Sequence, residues 1–375
     1  MQSKENLKYL FYMTKVKNLG NVRIKNILAR CKETKECFEL SKRELKRIEG
    51  IDEKTSNEIL KCRKYLGEYE KEFEKIIKNA EEKNIRIINI TDEEYPSNLK
   101  KIFDAPVLLY IKGKLNKEDK YSLSVVGTRF PTEYGRNVCE RMVKEISKLG
   151  IPVVSGLARG IDSMSHRVAL ENNNLTYAVL GCGVDVVYPK ENKKIYEQII
   201  ENGAVISEFE IGAAPDKVNF PRRNRIISGI SVGTLIVETG LKGGSLITGE
   251  FALDQNKEVF SIPGYIYSKK SEGSNELIKN GQAKLVTNVD DILNELSYKL
   301  KPILKKGEAE KEEKQIQELS IFEKKIYEVI GIEPIHIDMI SEIAEMSISD
   351  CLVNLLSLEF KGIIKQIPGK NFIRL

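Results

Sequence analysis

Between residues 122 and 264 the sequence alternates short β-branched runs with amphipathic stretches of helical length. The runs are "SLSVVG" (122–127), "IPVVSG" (151–156), "TYAVLG" (176–181), "AVISE" (204–208), "GTLIVE" (233–238) and "KEVFSIPG" (257–264). Strands that are apolar on both faces are typical of a parallel sheet covered by helices on both sides. Because such units take right-handed crossovers, the pattern predicts a Rossmann-like, doubly wound, mostly parallel α/β domain.

The segment before this alternation, residues 1–80, has a helical pattern. Two stretches in it, 16–28 and 45–60, resemble helix-hairpin-helix units, although Asp52 stands where a second glycine is usual. The turn amides of such units can meet a nucleic-acid phosphate, and plain helical packing is the alternative. The segment holds 20 Lys and Arg against 13 Asp and Glu, a net charge of +7, so the positive end of the chain is the first one.

The segment after the alternation divides into a charged stretch and a second small core. Residues 299–318 are nearly free of large apolar side chains after Leu304, which predicts a linker. Residues 319–375 predict three helices and a short hairpin, a winged-helix outline. We therefore divide the chain into a helical domain (1–80), a Rossmann-like core (81–298, with a lead-in at 81–119), a linker (299–318) and a winged-helix-like domain (319–375).

The helix at 347–359, which would be the recognition helix of a winged-helix domain, contains no lysine or arginine. It carries Asp350 and Glu359, and residues 319–375 hold 6 basic against 8 acidic residues, a net charge of −2. Such a helix would repel a duplex, so we expect this domain mainly to contact protein.

Composition argues against several classes of protein. The six cysteines form no CxxC pair and there are only two histidines, so we predict no metal site, no disulfide framework and no Ser-His-Asp triad. The chain shows no apolar run near 18 residues and no signal-peptide start. We therefore expect a cytoplasmic protein without membrane insertion.

Four of the predicted strands end in glycine-bearing turns. They are "VVGTRFPTEYG" (125–135), "VVSGLARGID" (153–162), "AVLGCGVD" (178–185) and "VETGLKGGSLITGE" (237–250). In a parallel sheet these turns lie together at the carboxyl edge, where helix N-termini present free amides and glycine lets a phosphate approach. Arg129 and Arg159 lie in two of them, so the sequence predicts an anion-binding groove.

Neither glycine pattern in these turns is a nucleotide fingerprint. In "GCGVDV" the third glycine of GxGxxG is replaced by Val186, and "GLKGGSL" lacks the GK[ST] of a Walker A loop. We therefore predict no nucleotide cofactor.

The stretch "VNFPRRNRIISG" (218–229) concentrates three arginines just before a predicted strand, near the same edge. Phe220 is placed to stack on a base, and the arginines and Lys217 to pair with phosphates. A solvated arginine turn, with Phe220 in the core, is the alternative. Arg225, which is followed by "IIS", is equally compatible with an internal salt bridge.

The motifs "VVGTR…YG", "SGLARGIDSMSH", "AVLGCGVDVVYP", "FPRRNRIISG", "GGSLIT" and "VFSIPG" occur in the order seen in the DprA/Smf family. The resemblance runs from about Tyr95 to about Val286. It implies a Rossmann-like core that binds single-stranded DNA, forms a homodimer and helps to place the recombinase RecA on incoming DNA during natural transformation.

The resemblance also implies which residues line the DNA groove. Arg222 occupies the variable position of the "FPxRNR" motif, and no residue is expected to be catalytic. The expected DNA-binding residues are Gly127, Arg129, Ser155, Gly156, Arg159, Gly160, Lys217, Phe220, Arg222, Arg223, Asn224 and Arg225.

A second resemblance provides an enzyme as the alternative function. The sheet-and-glycine plan is similar to nucleotide phosphoribohydrolases of the lysine-decarboxylase-like group, whose loop reads PGGxGTxxE. In "KGGSLITGE" Gly243, Gly244 and Glu250 align, but Lys242, Leu246 and Ile247 replace the proline, third glycine and threonine. Asp162 and His166, four positions apart on one helix, are placed either for acid–base chemistry or for a structural hydrogen bond.

Overall fold

The computed structural model describes residues 4–31, 33–317, 319–331 and 333–374, with the side chains of all but 305–317. The chain forms two compact units, Met1–Ile303 and Leu304–Leu375. No helix in the described part of the chain is long and apolar enough to cross a bilayer.

A nine-stranded sheet forms the centre of the first unit, with strand order β1-β2-β6-β5-β4-β3-β7-β8-β9. The run from β6 to β9 is parallel, whereas β1 and β2 add antiparallel pairs at one edge. The strands are β1 (Arg86–Asn89), β2 (Leu108–Gly113), β3 (Leu123–Val126), β4 (Val153–Ser155), β5 (Thr176–Val179), β6 (Gly203–Ser207), β7 (Gly233–Ile236), β8 (Glu258–Ser261) and β9 (Lys284–Leu285).

The central strands are buried along their whole length, which explains why they lack polar alternation. Helices cover both faces, and the predicted doubly wound α/β fold is confirmed. The helices are α1 (Lys4–Thr14), α2 (Asn21–Leu28), α3 (Thr34–Glu39), α4 (Lys42–Leu45), α5 (Glu53–Cys62), α6 (Leu66–Glu82), α7 (Ser97–Lys100), α8 (Glu133–Lys148), α9 (Ile161–Glu171), α10 (Lys193–Asn202), α11 (Asn219–Ile230), α12 (Gly244–Asp254), α13 (Glu272–Lys279) and α14 (Val289–Gln317).

The N-terminal helices do not pack by themselves. Phe11, Ile24 and Ile59 belong to the same buried cluster as Leu109 and Ile227 of the sheet domain. Helices α1 to α6 and the sheet therefore share one hydrophobic core. Asp52 is the N-cap of α5, where it accepts a hydrogen bond from the Thr55 N–H at 2.7 Å.

Helix α14 runs through the boundary between the two units. Leu300 and Ile303 are buried, so the helix is held by packing beyond residue 298. The segment 299–318, predicted as a linker, therefore begins inside α14, and the division between the units falls at Ile303–Leu304.

The second unit has the predicted winged-helix outline of three helices and a small antiparallel sheet of order β10-β12-β11. Its own core contains Ile326, Ile340, Leu355 and Phe372. The elements are α15 (Ile321–Val329), β10 (Ile335–His336), α16 (Ile337–Ala344), α17 (Ile348–Phe360), β11 (Ile364–Ile367) and β12 (Asn371–Arg374).

A buried carboxylate, Glu323, joins the first and last helices of this unit. It closes a capping box with Ser320, and its Oε1 accepts hydrogen bonds at 2.6 Å from both Ser357 Oγ and Lys361 Nζ. Although burial alone would raise the pKa of Glu323, these hydrogen bonds lower it from 4.5 to about 2.

We expect Glu323→Gln to destabilise the winged-helix unit at neutral pH, by about 1.5–3 kcal/mol, a typical loss for hydrogen bonds to a charged group. Because the folded-state pKa is lowered, the native contribution is present above pH ~4.5 and is lost as the pH falls towards 2. Hydrogen exchange of α15–α17 in the full chain, measured from pH 7 to pH 3, should show this loss in the native protein and not in the variant. Glu328→Gln, at an exposed position of the same helix, is the control. A variant whose protection matches the native protein would contradict the assignment.

Candidate functional site

A cleft of about 590 Å³ opens at the carboxyl edge of the parallel sheet. Its walls are the loops that follow β3, β4, β5 and β7, together with one face of α11 and the start of α12. The four glycine-bearing turns do not contribute equally, because residues 178–185 are absent from the lining and the loop after β5 contributes only Tyr188, farther along the chain. Below, "the cleft" means this cavity.

One wall carries Arg129 and Phe130, both exposed. The loop that presents them is fixed by Glu238 at the end of β7. Its buried carboxylate accepts hydrogen bonds from the N–H and hydroxyl of Thr132, both at 2.7 Å, and its backbone oxygen accepts the Thr128 N–H at 2.7 Å. Glu238 therefore holds the loop while leaving the Arg129 guanidinium to face solvent.

The opposite wall carries two aromatic rings, Phe220 at the start of α11 and Tyr188 after β5. Their centroids lie 5.4 Å apart with an interplanar angle of 36°. Tyr188 is 44% exposed, so the pair keeps accessible aromatic surface at the cleft. Phe220 is half-buried. This burial is intermediate between the two sequence-based alternatives, which were a free stacking ring and a core residue.

Positive potential at the cleft comes from Lys217 as well as Arg129, because both are exposed and line it. Helix α12 begins at the cleft with Gly243 as its N-cap, without a side-chain cap or an acidic residue in its first turn. Uncapped helix N-termini carry partial positive charge and attract anions. The cleft is therefore suited to an anionic ligand.

Arg223 lies at the floor of the cleft, 5% exposed. Its Nη1 donates to the carbonyl oxygens of Gly156, at 2.7 Å, and Val179, and its Nη2 lies 4.0 Å from Asp162 Oδ2. Burial lowers the pKa of Arg223 below its ordinary value. Its guanidinium is therefore occupied by the protein itself, which differs from the expectation of a phosphate contact.

The glycines predicted to admit a phosphate also make room for neighbouring groups of the protein. A Cβ on Gly156 would lie 2.2 Å from Arg223 Nη2, and one on Gly160, whose φ is +76°, would lie 2.3 Å from the Thr128 carbonyl oxygen. A Cβ on Gly127 would lie 2.6 Å from Ile161 Cγ1. Ser155 is fully buried and donates to the Val125 carbonyl at 2.7 Å. These residues give the strand-end loops room to pack against each other.

Helix α11 separates the arginines of "FPRRNR". Arg225 is 4% exposed and forms ion pairs with Glu208 and, through Nε at 3.0 Å, with Asp104. Arg222 is exposed and lies over the Phe209 ring, at 5.9 Å. Both line a second cavity, beside the start of α2, and not the cleft. The internal salt bridge is thus the reading of Arg225 that the contacts favour.

The remaining two predicted residues lie at or near the cleft. Asn224 lines it and donates from Nδ2 to the Gly244 carbonyl oxygen at 3.3 Å, which ties α11 to α12. Arg159 is exposed and pairs with Glu191, beside Tyr188 in a small adjoining pocket.

The groups weighed for enzyme chemistry are not arranged for it. His166 is fully buried, its Nδ1 pairs with Thr176 Oγ1 at 2.7 Å, and burial lowers its pKa to about 3. Asp162 is buried and accepts the Gly156 N–H at 3.2 Å. Glu250 is exposed on α12 and does not line the cleft. Among the described residues, no group of three or more His, Cys, Asp or Glu side chains is placed to hold a metal.

Three contributors were missed by the sequence reading. Phe130 directly follows Arg129 in the quoted "GTRF" motif, and Tyr188 stands in "VVYP". Glu238 is the acidic end of an otherwise apolar strand, "GTLIVE", which is a recognisable signal for a buried carboxylate with a positioning role.

The chain belongs to the DprA/Smf family. Residues 86–297 match the family model described as DNA recombination-mediator protein A, and residues 310–370 match the DprA winged helix domain. Protein Smf of Escherichia coli is 34% identical over 324 residues, which cover 86% of each chain. DNA processing protein DprA of Streptococcus pneumoniae is 42% identical over 210 residues, 56% of this chain and 74% of the relative.

The solved structures similar to this chain include those of two DprA proteins. The crystal structure of DprA from Streptococcus pneumoniae has a TM-score of 0.66 and 35% identity, and the match covers 77% of this chain and 97% of that one. DNA processing protein A from Helicobacter pylori, described for its single-stranded DNA binding mode, has a TM-score of 0.52 and 30% identity, over 57% of this chain and 96% of that one.

The contacts of Arg223 and Arg129 predict that replacing the first residue destabilises the protein much more than replacing the second. Arg223→Ala should destabilise the first unit by about 3–5 kcal/mol, because it leaves the buried Asp162 without its cationic partner. Arg129→Ala, at an exposed position, should change stability by less than about 0.5 kcal/mol. Urea unfolding followed by circular dichroism measures both. Equal stabilities of the two variants would contradict the buried role of Arg223.

Proposed function

We propose that this protein binds single-stranded DNA in the cleft, as a non-catalytic mediator of recombination. The observation that carries the proposal is the combination of two exposed cations, Arg129 and Lys217, with exposed aromatic rings around one concave site. Non-specific single-strand binding generally combines a positive groove for the phosphates with aromatic faces for the bases.

The phosphates are assigned to the exposed cations and the start of α12. Arg129 projects from a loop that Glu238 holds in place, so little side-chain and loop ordering is required on binding. Lys217 stands just before α11. Arg223 acts from beneath, by fixing the loops, and Arg222 and Arg225 are omitted from this contact set.

The bases are assigned to the rings of Phe130 and of the Tyr188–Phe220 pair. Phe130 is 66% exposed, although an apolar ring gains by leaving water. A base presents its flat face only when it is unstacked, as in a single strand. The rings therefore favour a single strand over a duplex.

The comparisons support this proposal at the level of the family. The Helicobacter pylori relative is described as binding single-stranded DNA, and the family model is that of a recombination mediator. We extend the proposal to the family's expected partners: a homodimer formed through the sheet domain, and RecA, which the bound protein would help to load on DNA that enters the cytoplasm.

We expect Arg129→Ala and Lys217→Ala each to weaken binding of a fluorescein-labelled oligothymidine about ten- to a hundredfold, because each removes a charge-assisted contact of about 1.5–3 kcal/mol. Each phosphate contact on a single strand contributes about −0.7 to the slope of log binding constant against log salt concentration. The slope of the double variant should therefore be less negative than the native slope by about 1.4. Fluorescence anisotropy over a salt series measures both quantities.

Lys148→Ala is the matched control. This exposed lysine is the last residue of α8, a helix of 16 residues that begins beside the cleft. At about 1.5 Å per residue the helix is about 24 Å long, so Lys148 lies about that distance from the cleft, at the other edge of the sheet. Its affinity and salt slope should equal those of the native protein. An unchanged affinity in the double variant, with the fold intact, would rule out the cleft as the binding site.

The hydrolase alternative predicts a different product. Incubation with the nucleoside monophosphates should release no free base above a protein-free blank, because Asp162 and His166 are buried in structural contacts and Glu250 lies outside the cleft. Liquid chromatography of the reaction detects free base. Base release that disappears in Glu250→Gln would instead establish the enzyme.

A further inference from the structure

Helix α17 of the winged-helix unit has an apolar stripe on its solvent side. Ile348, Leu352, Leu356 and Phe360 follow one another at four-residue steps, and all are exposed, with Phe360 at 84%. The opposite face, which includes Leu355 and Leu358, fills the domain core. The helix is therefore apolar on two sides, of which the domain itself covers one.

The stripe is large enough to be an interaction site. Together with Val353, which is 70% exposed beside it, the stripe exposes on the order of 500 Å², the size of the largest apolar patch on a typical monomer, which is often functional. Two such faces would bury about 1,000 Å² in total, which reaches the size of small specific interfaces.

The stripe is symmetric about its own centre. A two-fold axis passing beside Asn354 exchanges Leu352 with Leu356 and Ile348 with Phe360, so the same four positions face each other in both directions. This is the requirement of an isologous contact, in which residue i of one copy meets residue j of the other and the reverse. Rows at four-residue spacing are also the ridges that interdigitate when two helices cross at about −50°.

The helix dipoles favour one direction of this pairing. In an antiparallel pair Leu352 of one copy contacts Leu356 of the other, and Ile348 contacts Phe360. The positive N-terminal end of each helix also lies beside the negative C-terminal end of the other. A parallel pair would instead place the like ends of the two helix dipoles side by side.

We propose that α17 is a self-association surface, on which a second copy of this chain docks its own α17 in antiparallel two-fold symmetry. Duplex DNA is a poor occupant because the helix carries no lysine or arginine. The surface belongs to a different unit from the cleft, and the proposal does not depend on DNA binding. With a second interface in the sheet domain, it would link chains into assemblies larger than a dimer.

The test uses the predicted contact between position 352 of one copy and position 356 of the other. Leu352→Lys and Leu356→Glu, each alone in the full chain, should abolish association through α17, because each buries two unpaired charges at the interface. An equimolar mixture should restore it, since one contact becomes Lys–Glu and the other remains Leu–Leu. Sedimentation velocity without DNA, over a concentration series, gives the mass.

We expect the native mass to rise with concentration, each single variant to have at most half the native mass at the highest concentration, and the mixture to recover it. Ile321→Lys, which replaces an 81% exposed apolar residue of α15 outside the stripe, is the control and should keep the native behaviour. Circular dichroism verifies that each variant is folded. Equal masses for the native protein and both variants, or a mixture that stays at the variant mass, would overturn the proposal in favour of a different partner.

Discussion

The site depends on one buried charge, the guanidinium of Arg223. It binds the backbone oxygens at the ends of β4 and β5 and lies beside Asp162 at the start of α9, so one side chain joins two strand ends and the first turn of a helix. Leu157, fully buried, is held at φ +53°, which is unfavourable for leucine and persists only where the surroundings fix it. Gly156 supplies the space for the guanidinium. The cleft can therefore present exposed cations on a frame that is already ordered before any ligand arrives.

Helical periodicity then decides which residues of α11 take part. Phe220, Arg223, Asn224 and Ile227 follow the i, i+3, i+4, i+7 spacing of one helix face, and all four line the cleft. Arg222 and Arg225 fall on another face and line the cavity beside α2. A run of arginines that looks like a single patch in the sequence thus serves two sides of one helix. The positive charge that remains accessible in the cleft comes largely from other segments, at Arg129 and Lys217.

The fold was predictable from local patterns, whereas the roles of the charged residues were not. β-Branched runs that alternate with helical stretches indicate a parallel sheet, and the pattern of three helices and a hairpin in residues 319–375 indicates a winged helix. Burial of Arg225 instead depends on Glu208 and Asp104, which are distant in sequence. The continuation of α14 into the predicted linker depends on packing of Leu300 and Ile303. Propensity and composition are properties of single residues and short segments. The burial of Arg225 and the length of α14 instead depend on contacts that exist only in the folded chain.

The two units also differ in the kind of side chain that they leave exposed. In the first unit, buried ion pairs use part of the charge and the rest faces water, where its field reaches a polyanion. In the second, the carboxylate of Glu323 is satisfied internally, and α17, which takes the place of the helix that reads DNA in other winged helices, carries no lysine or arginine. What remains exposed on α17 is apolar surface, whose gain on burial is non-directional. Direction and register must then come from the helix dipoles and from the symmetric spacing of the stripe, both of which favour the antiparallel pair.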